Sequence, residues 1–236
     1  NPKIDLAIVT GDISDSGKIE EYEAFSKIID LLDMPWFLIP GNHDNNQNIF
    51  KFFKKHDYLP RHEKFCHYVI DNLPFTLIGI DTTVPGKNYG ELCSERLRWL
   101  DENLKIYSSK PTFLFMHHHP FLTGIDGMDN QNLKNSDEFF EILKSHPHVK
   151  HIACGHVHRA TETVINGIGI SIAPNGAHSV NLDLVSKGPP MFIMEPPSIR
   201  IFKLNKTNKN VVSHLSFVGN FDGPYPFYSD TGELLN

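Results

Sequence analysis

Four short apolar runs in this chain each break off into a compact polar cluster, and that recurring junction restricts the fold more than any other feature. Asp5-Leu-Ala-Ile-Val-Thr10 runs into Gly11-Asp12-Ile13-Ser14-Asp15, and Trp36-Phe-Leu-Ile39 runs, after Pro40, into Gly41-Asn42-His43-Asp44. Thr112-Phe-Leu-Phe-Met116 ends in His117-His118-His119-Pro120, and His151-Ile-Ala-Cys154 in Gly155-His156-Val157-His158. Runs this short and this apolar read as buried strands. Ligands of open α/β sheets gather outside the carboxyl ends of the strands, so the four clusters are expected to share one crevice. Glycine beside the polar residue lets the backbone turn sharply and approach a ligand closely.

The segments between the runs fit that picture. Ile19, Tyr22, Phe25, Ile29 and Leu32 recur at helical spacing, and Pro35 stops the helix before the next strand, which makes a βαβ unit. Phe65–Ile70 and Phe75–Ile80 read as strands joined by Asp71-Asn72-Leu73-Pro74. Ser94 is the expected N-cap of a helix that presents Leu97, Leu100 and Leu104 on one face. Phe139, Ile142 and Leu143 mark another helix. From Ala160 onward strands and turns alternate: Thr163–Ile165, Gly169–Ala173, Met191–Met194, Ile199–Leu204 and Val211–Phe217. The reading is one α/β domain over 1–236, with 160–236 as a β-rich second layer.

Charge and cysteine usage exclude several classes. The formal net charge is −6, and no Lys/Arg run is long enough to track a nucleic-acid backbone, so nucleic acid is not an expected partner. The three cysteines, Cys66, Cys93 and Cys154, form no Cys-x-x-Cys pair, which favours a reducing compartment and a cytoplasmic location. Cys154 is expected to be a buried strand residue. No apolar run reaches membrane length, and no signal peptide is visible. Oligomeric state is not readable, although an exposed strand edge in the tail could pair in a homodimer.

Histidine is the unusual residue, with 14 in the chain. The clusters offer a carboxylate (Asp12), an amide oxygen (Asn42) and imidazoles (His117, His156, His158). Nitrogen and oxygen donors without thiolate suit Fe, Mn, Zn, Co or Ni rather than calcium. Each cluster has a bland reading: Gly-Asp after a strand is usually a turn, three histidines can be a solvated loop, and His-x-His is often fortuitous. All four in this order, each at a strand end, outweigh those readings. His56, His62, His67, His146, His148, His151, His178 and His214 are read as surface or satisfied core residues.

The ordered set Gly-Asp-x-x-Asp, Gly-Asn-His-Asp, a His-rich turn and Gly-His-x-His resembles the calcineurin-like metallophosphoesterases. Met116-His-His-His-Pro120, Tyr89-Gly-Glu-Leu92 with Leu97-Arg-Trp-Leu100, and His148-Val-Lys-His151 through His158 resemble the bacterial class III cyclic AMP phosphodiesterase branch. The resemblance spans roughly residues 5 to 180. It implies a four-layer α/β sandwich, two mixed sheets flanked by helices, and a centre of two divalent metals, Fe or Mn foremost, with Zn, Co or Ni as alternatives. Asp12 would bridge both metals; Asn42, His117 and His156 would complete one, and His158 would bind the other. His43 would face the phosphoryl oxygen or leaving group as the catalytic donor, with Asp44 orienting its ring, and His118 and His119 would stand behind the metals or face substrate. The implied reaction is hydrolysis of a small-molecule phosphodiester, 3′,5′-cyclic nucleotides such as cyclic AMP above all, by a hydroxide bridging the metals. The alternatives are other phosphodiesters or phosphomonoesters, or an inactive member of the family serving as a scaffold. The family's first motif, Asp-x-His at the end of an earlier strand, has no counterpart upstream of Asp12, so this chain is expected to lack the first βα unit.

Overall fold

A computed structural model describes residues 3–60, 64–185, 187–205, 207 and 210–234. His62 lies outside the described residues. The first βαβ unit is β1 (Ala7–Val9), α1 (Ile19–Ile29) and β2 (Trp36–Leu38), with β1 and β2 paired in parallel. Tyr22 is fully buried, and Phe25 and Ile29 pack against the core from the same helix. β1 is half-buried rather than fully buried along its three residues.

The central sheet has six strands, built from β3 (Tyr68–Ile70), β4 (Thr76–Ile80), β5 (Thr112–Met116), β6 (Val149–Cys154), β7 (Thr161–Ile165) and β8 (Ile168–Ile172). Their order is β3-β4-β5-β6-β8-β7; the four inner strands run parallel, and β3 and β7 lie antiparallel at the edges. β4 and β5 are buried at every position, as strands covered on both faces must be. The β1–β2 pair lies across from this sheet. A Cβ on Gly79 of β4 would meet Ile39 and the rings of Phe115 and Tyr68 within 3.1 Å, and the Tyr68 hydroxyl donates to the Leu38 carbonyl at 2.5 Å. Helices α2 (Asn46–Phe52), α3 (Ser94–Ile106), α4 (Asp126–Asp129) and α5 (Ser136–Leu143) complete the α/β arrangement. Leu97, Leu100 and Leu104 of α3 are buried, as their spacing requires. Its N-cap, however, is Cys93, which makes no side-chain capping bond, and Ser94 is the first helical residue.

The 160–236 stretch divides. β8 is buried at four of its five positions and pairs in parallel with β6, and β7 pairs with it in turn; both belong to the central sheet. Only the hairpins β9 (Ser179–Val180) with β10 (Phe192–Ile193), and β11 (Ser198–Leu204) with β12 (Val211–Phe217), stand apart. Phe202 anchors the second hairpin by packing on Phe113 and His151 at ring-centroid distances of 4.9 Å. Cys154 is fully buried at the end of β6. No helix among the described residues is long and apolar enough to cross a membrane.

Candidate metal centre

The loops after β1, β2, β5 and β6 converge, and their backbones are bent to do so. Asp12 (φ 52°), His156 (φ 70°) and His158 (φ 57°) are three of the four non-glycine residues in the left-handed region among those described. Each such residue costs on the order of 1 kcal/mol or more and persists only where its surroundings hold it. The approach leaves no room for side chains at the turns. A Cβ on Gly41 would come within 2.1 Å of Asp12 Oδ1, and one on Gly11, itself at φ 92°, within 2.6 Å of His117 Nδ1.

His117 is the centre of the cluster. Its Nδ1–H donates to the Thr10 carbonyl at 2.7 Å, because a carbonyl can only accept. Its Nε2 then lies 3.2 Å from Asp12 Oδ2, 3.1 Å from Asn42 Oδ1 and 3.2 Å from His156 Nδ1. One N–H at Nε2 could satisfy only one of these three groups, and a neutral ring would set a lone pair against two oxygens. Burial opposes a charge on His117, yet Asp12 outweighs it and raises the imidazole above its ordinary value. Burial likewise opposes the Asp12 carboxylate, and His117 with the His43 backbone N–H holds it well below the usual range. Asp12, Asn42, His117 and His156 would hold a divalent cation in place of that proton, giving all four groups a partner, so the residues fit a metal.

His117, His118 and His156 offer ring nitrogens within 4.8 Å of one another. His118 is nevertheless committed elsewhere: Nδ1 bonds Thr82 Oγ1 at 2.7 Å and Nε2 the Asn88 carbonyl at 3.2 Å. His119 is fully buried, stacks near His156 at 6.0 Å, and has its Nε2 3.8 Å from Asp129 Oδ1.

His158 lies within electrostatic reach of Asp12. The charges of Asp12, His117 and His43 all act on its ring, which burial and His178 push down to about 4. Its Nδ1 bonds His178 Nε2 at 3.1 Å. His178 was expected to be bland; it sits in the irregular stretch after β8, twenty positions from its partner, and no periodicity or strand end marks it.

His43 is half-exposed beside these groups, its backbone N–H donating to Asp12 Oδ1 at 3.1 Å. Its ring is oriented by the Asp15 carbonyl, which accepts from Nδ1 at 2.8 Å. This corrects the expected role of Asp44, whose carboxylate points into the protein. It accepts from the Ile13, Ser14 and Gly41 N–H groups, the Ser14 hydroxyl and the Tyr22 hydroxyl, at 2.8 to 3.2 Å. Asp44 ties the Asp12 loop to the Asn42 loop.

A family model for calcineurin-like phosphoesterases matches residues 1–160. The chain belongs to that family, and with it to the metal-dependent phosphoesterases. It is 41% identical over 236 residues to a probable glycerophosphodiester phosphodiesterase GpdQ of Arcobacter nitrofigilis, covering all of this chain and 86% of that protein. It is 32% identical over 174 residues to the 3′,5′-cyclic adenosine monophosphate phosphodiesterase CpdA of Vibrio vulnificus, covering 73% of this chain and 61% of that protein. Among solved structures, a dimetal phosphatase from Danio rerio shares the fold, with a TM-score of 0.61 at 12% identity over 89% of this chain and 83% of the other.

Proposed function

We propose that this protein hydrolyses small-molecule phosphodiesters, with 3′,5′-cyclic nucleotides as the expected substrates. The observation that carries the reading is the meeting of Asp12, Asn42 and His156 around His117 Nε2, all at 3.1 to 3.2 Å. Glycerophosphodiesters are the second reading, favoured by the relative of that name that is similar along the whole chain.

Asp12, Asn42, His117 and His156 would hold one divalent cation, Mn or Fe foremost, and Asp12 with His158 would contribute to a second. When bound, such cations supply Lewis acidity, neutralising charge on the phosphoryl oxygens and acidifying water near neutral pH. The chain's own part is positional and protonic. Water adds to phosphorus, one P–O ester bond breaks, and the departing alkoxide takes a proton. His43 is the donor in this reading: with Nδ1–H fixed on the Asp15 carbonyl, the proton to be transferred sits on Nε2. The part-buried Thr10, Gly41 and Asp44 contacts tie the loops together and would resist their relaxing when the ligands are charged.

The test is a phosphoester panel with metal-depleted protein reloaded with Mn or Fe, together with bound metal per chain. Hydrolysis of diesters with two metals bound supports the reading. Metal binding without turnover of any diester would leave the scaffold alternative standing instead.

A further inference from the structure

We infer that the β9–β10 hairpin is a fixed platform for the organic group of the substrate, with Phe192 receiving a planar aromatic substituent on one ester oxygen. The inference rests on the phosphodiesterase reading and deepens it.

Three observations meet at this hairpin. The first is continuity with the centre: His158 bonds His178 at 3.1 Å, and the His178 ring meets Phe192 edge-on, with centroids 5.5 Å apart and planes 64° apart. The second is the mounting. Arg159, the residue after His158, donates from Nε to the Val180 carbonyl at 2.7 Å and from Nη2 to Glu195 Oε1 at 2.5 Å. Val180 also donates to the Val157 carbonyl at 3.4 Å, and Phe192 is paired directly with Val180 across the hairpin. The strand that bears the ring is therefore tied to the same turn that carries His156 and His158. The third is exposure: Phe192 is 71% exposed. An aromatic ring on a tied strand, with His178 against its edge and its surface left in water, is poorly used as core and well suited to binding, because the backbone beneath it has little freedom to lose when a partner stacks on it.

Charge selects the chemistry of the occupant. Arg159 and Glu195 neutralise each other at the base of the hairpin, so it offers no second anion site beside the phosphate-binding centre. An uncharged ring attached close to the phosphodiester, a nucleobase or an aryl group, fits a neutral aromatic face; a bare glyceryl group gains little from it.

The experiment compares wild type, Phe192→Ala, Phe192→Leu and Phe192→Tyr in the metal-loaded protein. Substrates are adenosine 3′,5′-cyclic phosphate, bis(p-nitrophenyl) phosphate and glycerophosphoethanolamine, with light scattering as a control for self-association. Phe192→Ala is expected to raise KM about tenfold for the two aromatic substrates, with kcat changed less than about twofold and glycerophosphoethanolamine barely affected. Phe192→Leu should resemble the alanine variant and Phe192→Tyr the wild type. An equal rise for all three substrates, an unmoved KM, wild-type behaviour of Phe192→Leu, or a lower mass for Phe192→Ala would overturn the proposal. Absence of hydrolysis of all three by metal-loaded wild type defeats the underlying reading; turnover with an unmoved KM in Phe192→Ala defeats the platform alone.

Discussion

Around His117 three donor groups crowd a single imidazole nitrogen, whereas around His158 the side chain within bonding distance is another histidine, His178. The first pole is interior: His117 is 1% and His156 8% exposed. The second is half-buried at His158 and opens beside it to His43, whose side chain is 48% exposed. Both poles use left-handed backbone, at Asp12 and His158, so strain alone does not distinguish them. The contrast is in who completes the site. At the buried pole the protein has assembled a donor set that is electrostatically uncomfortable without a cation. At the open pole the groups are part-exposed, and in the proposed reading that is where a substrate would enter.

The largest effect expected from this contrast is at His117. His117→Ala removes the nitrogen on which the buried donors converge, and turnover of a phosphodiester should fall on the order of 10⁴. Bound Mn per chain, measured at equal free metal, should fall further in His117→Ala than in His158→Ala. Equal losses would erase the distinction between the poles. Next in size is His43→Ala, which should lower turnover by roughly 10² to 10⁴ while metal content stays at the wild-type level. Turnover at the wild-type level in that variant would remove His43 from the reaction and leave the open pole with no proton donor of its own.

The buried pole was far more legible in the amino-acid sequence than its supports were. Strands β1, β2, β5 and β6 are apolar enough to announce themselves, and glycine or histidine just past their ends marks the turns that converge, so Asp12, Asn42, His117 and His156 could be named together. His178 could not, because its contact with His158 depends on the path of an irregular loop. The family resemblance implies Asp44 orienting the His43 ring, yet consecutive side chains on a turn diverge, and the donors from Ile13, Ser14 and Gly41 draw the carboxylate inward. Helix α2 is not legible in the sequence because its first turn is Asn46-Gln47-Asn48, a turn-like composition; Asn45 Oδ1 caps it by accepting from the Asn48 N–H at 3.0 Å. The assignment of β7 and β8 to a second layer failed for another reason. Alternation shows that a strand exists, but not which neighbour it pairs with.

Asp44→Asn probes what keeps the buried pole assembled. Its carboxylate accepts from five donors, and an amide would turn an NH₂ toward some of them. Metal-free protein should lose about 3 kcal/mol in urea unfolding, the usual consequence of leaving buried donors without acceptors. Metal affinity should weaken about tenfold, since the two loops lose their tie. An unchanged midpoint would show that the ligand loops hold their shape by other means, and the buried pole would then be less preorganised than its geometry implies.

Any comparison of the poles in acid has to be separated from the acid response of the fold, and His151 is the residue that allows it. His151 lies outside both poles, stacked on Phe113 at 5.2 Å, packed against Phe202, and bonded through Nε2 to the buried Ser171 hydroxyl at 2.8 Å. Burial, with the Arg200 charge second, pushes its imidazole from 6.5 down to about 4. The folded value lies below the unfolded one, so the neutral ring is the stabilising form. Its contribution is present above pH 6.5 and is lost as pH falls toward 4. The loss amounts to at most about 3 kcal/mol. Unfolding curves of wild type and His151→Gln should therefore draw together over that window, while other buried histidines titrate alike in both. Parallel curves would mean that protonation of His151 does not loosen the β11–β12 hairpin. With the His151 contribution subtracted, metal lost between pH 6.5 and 4 can be assigned to the ligands themselves. The half-buried His158 pole should then release its metal before the His117 pole does.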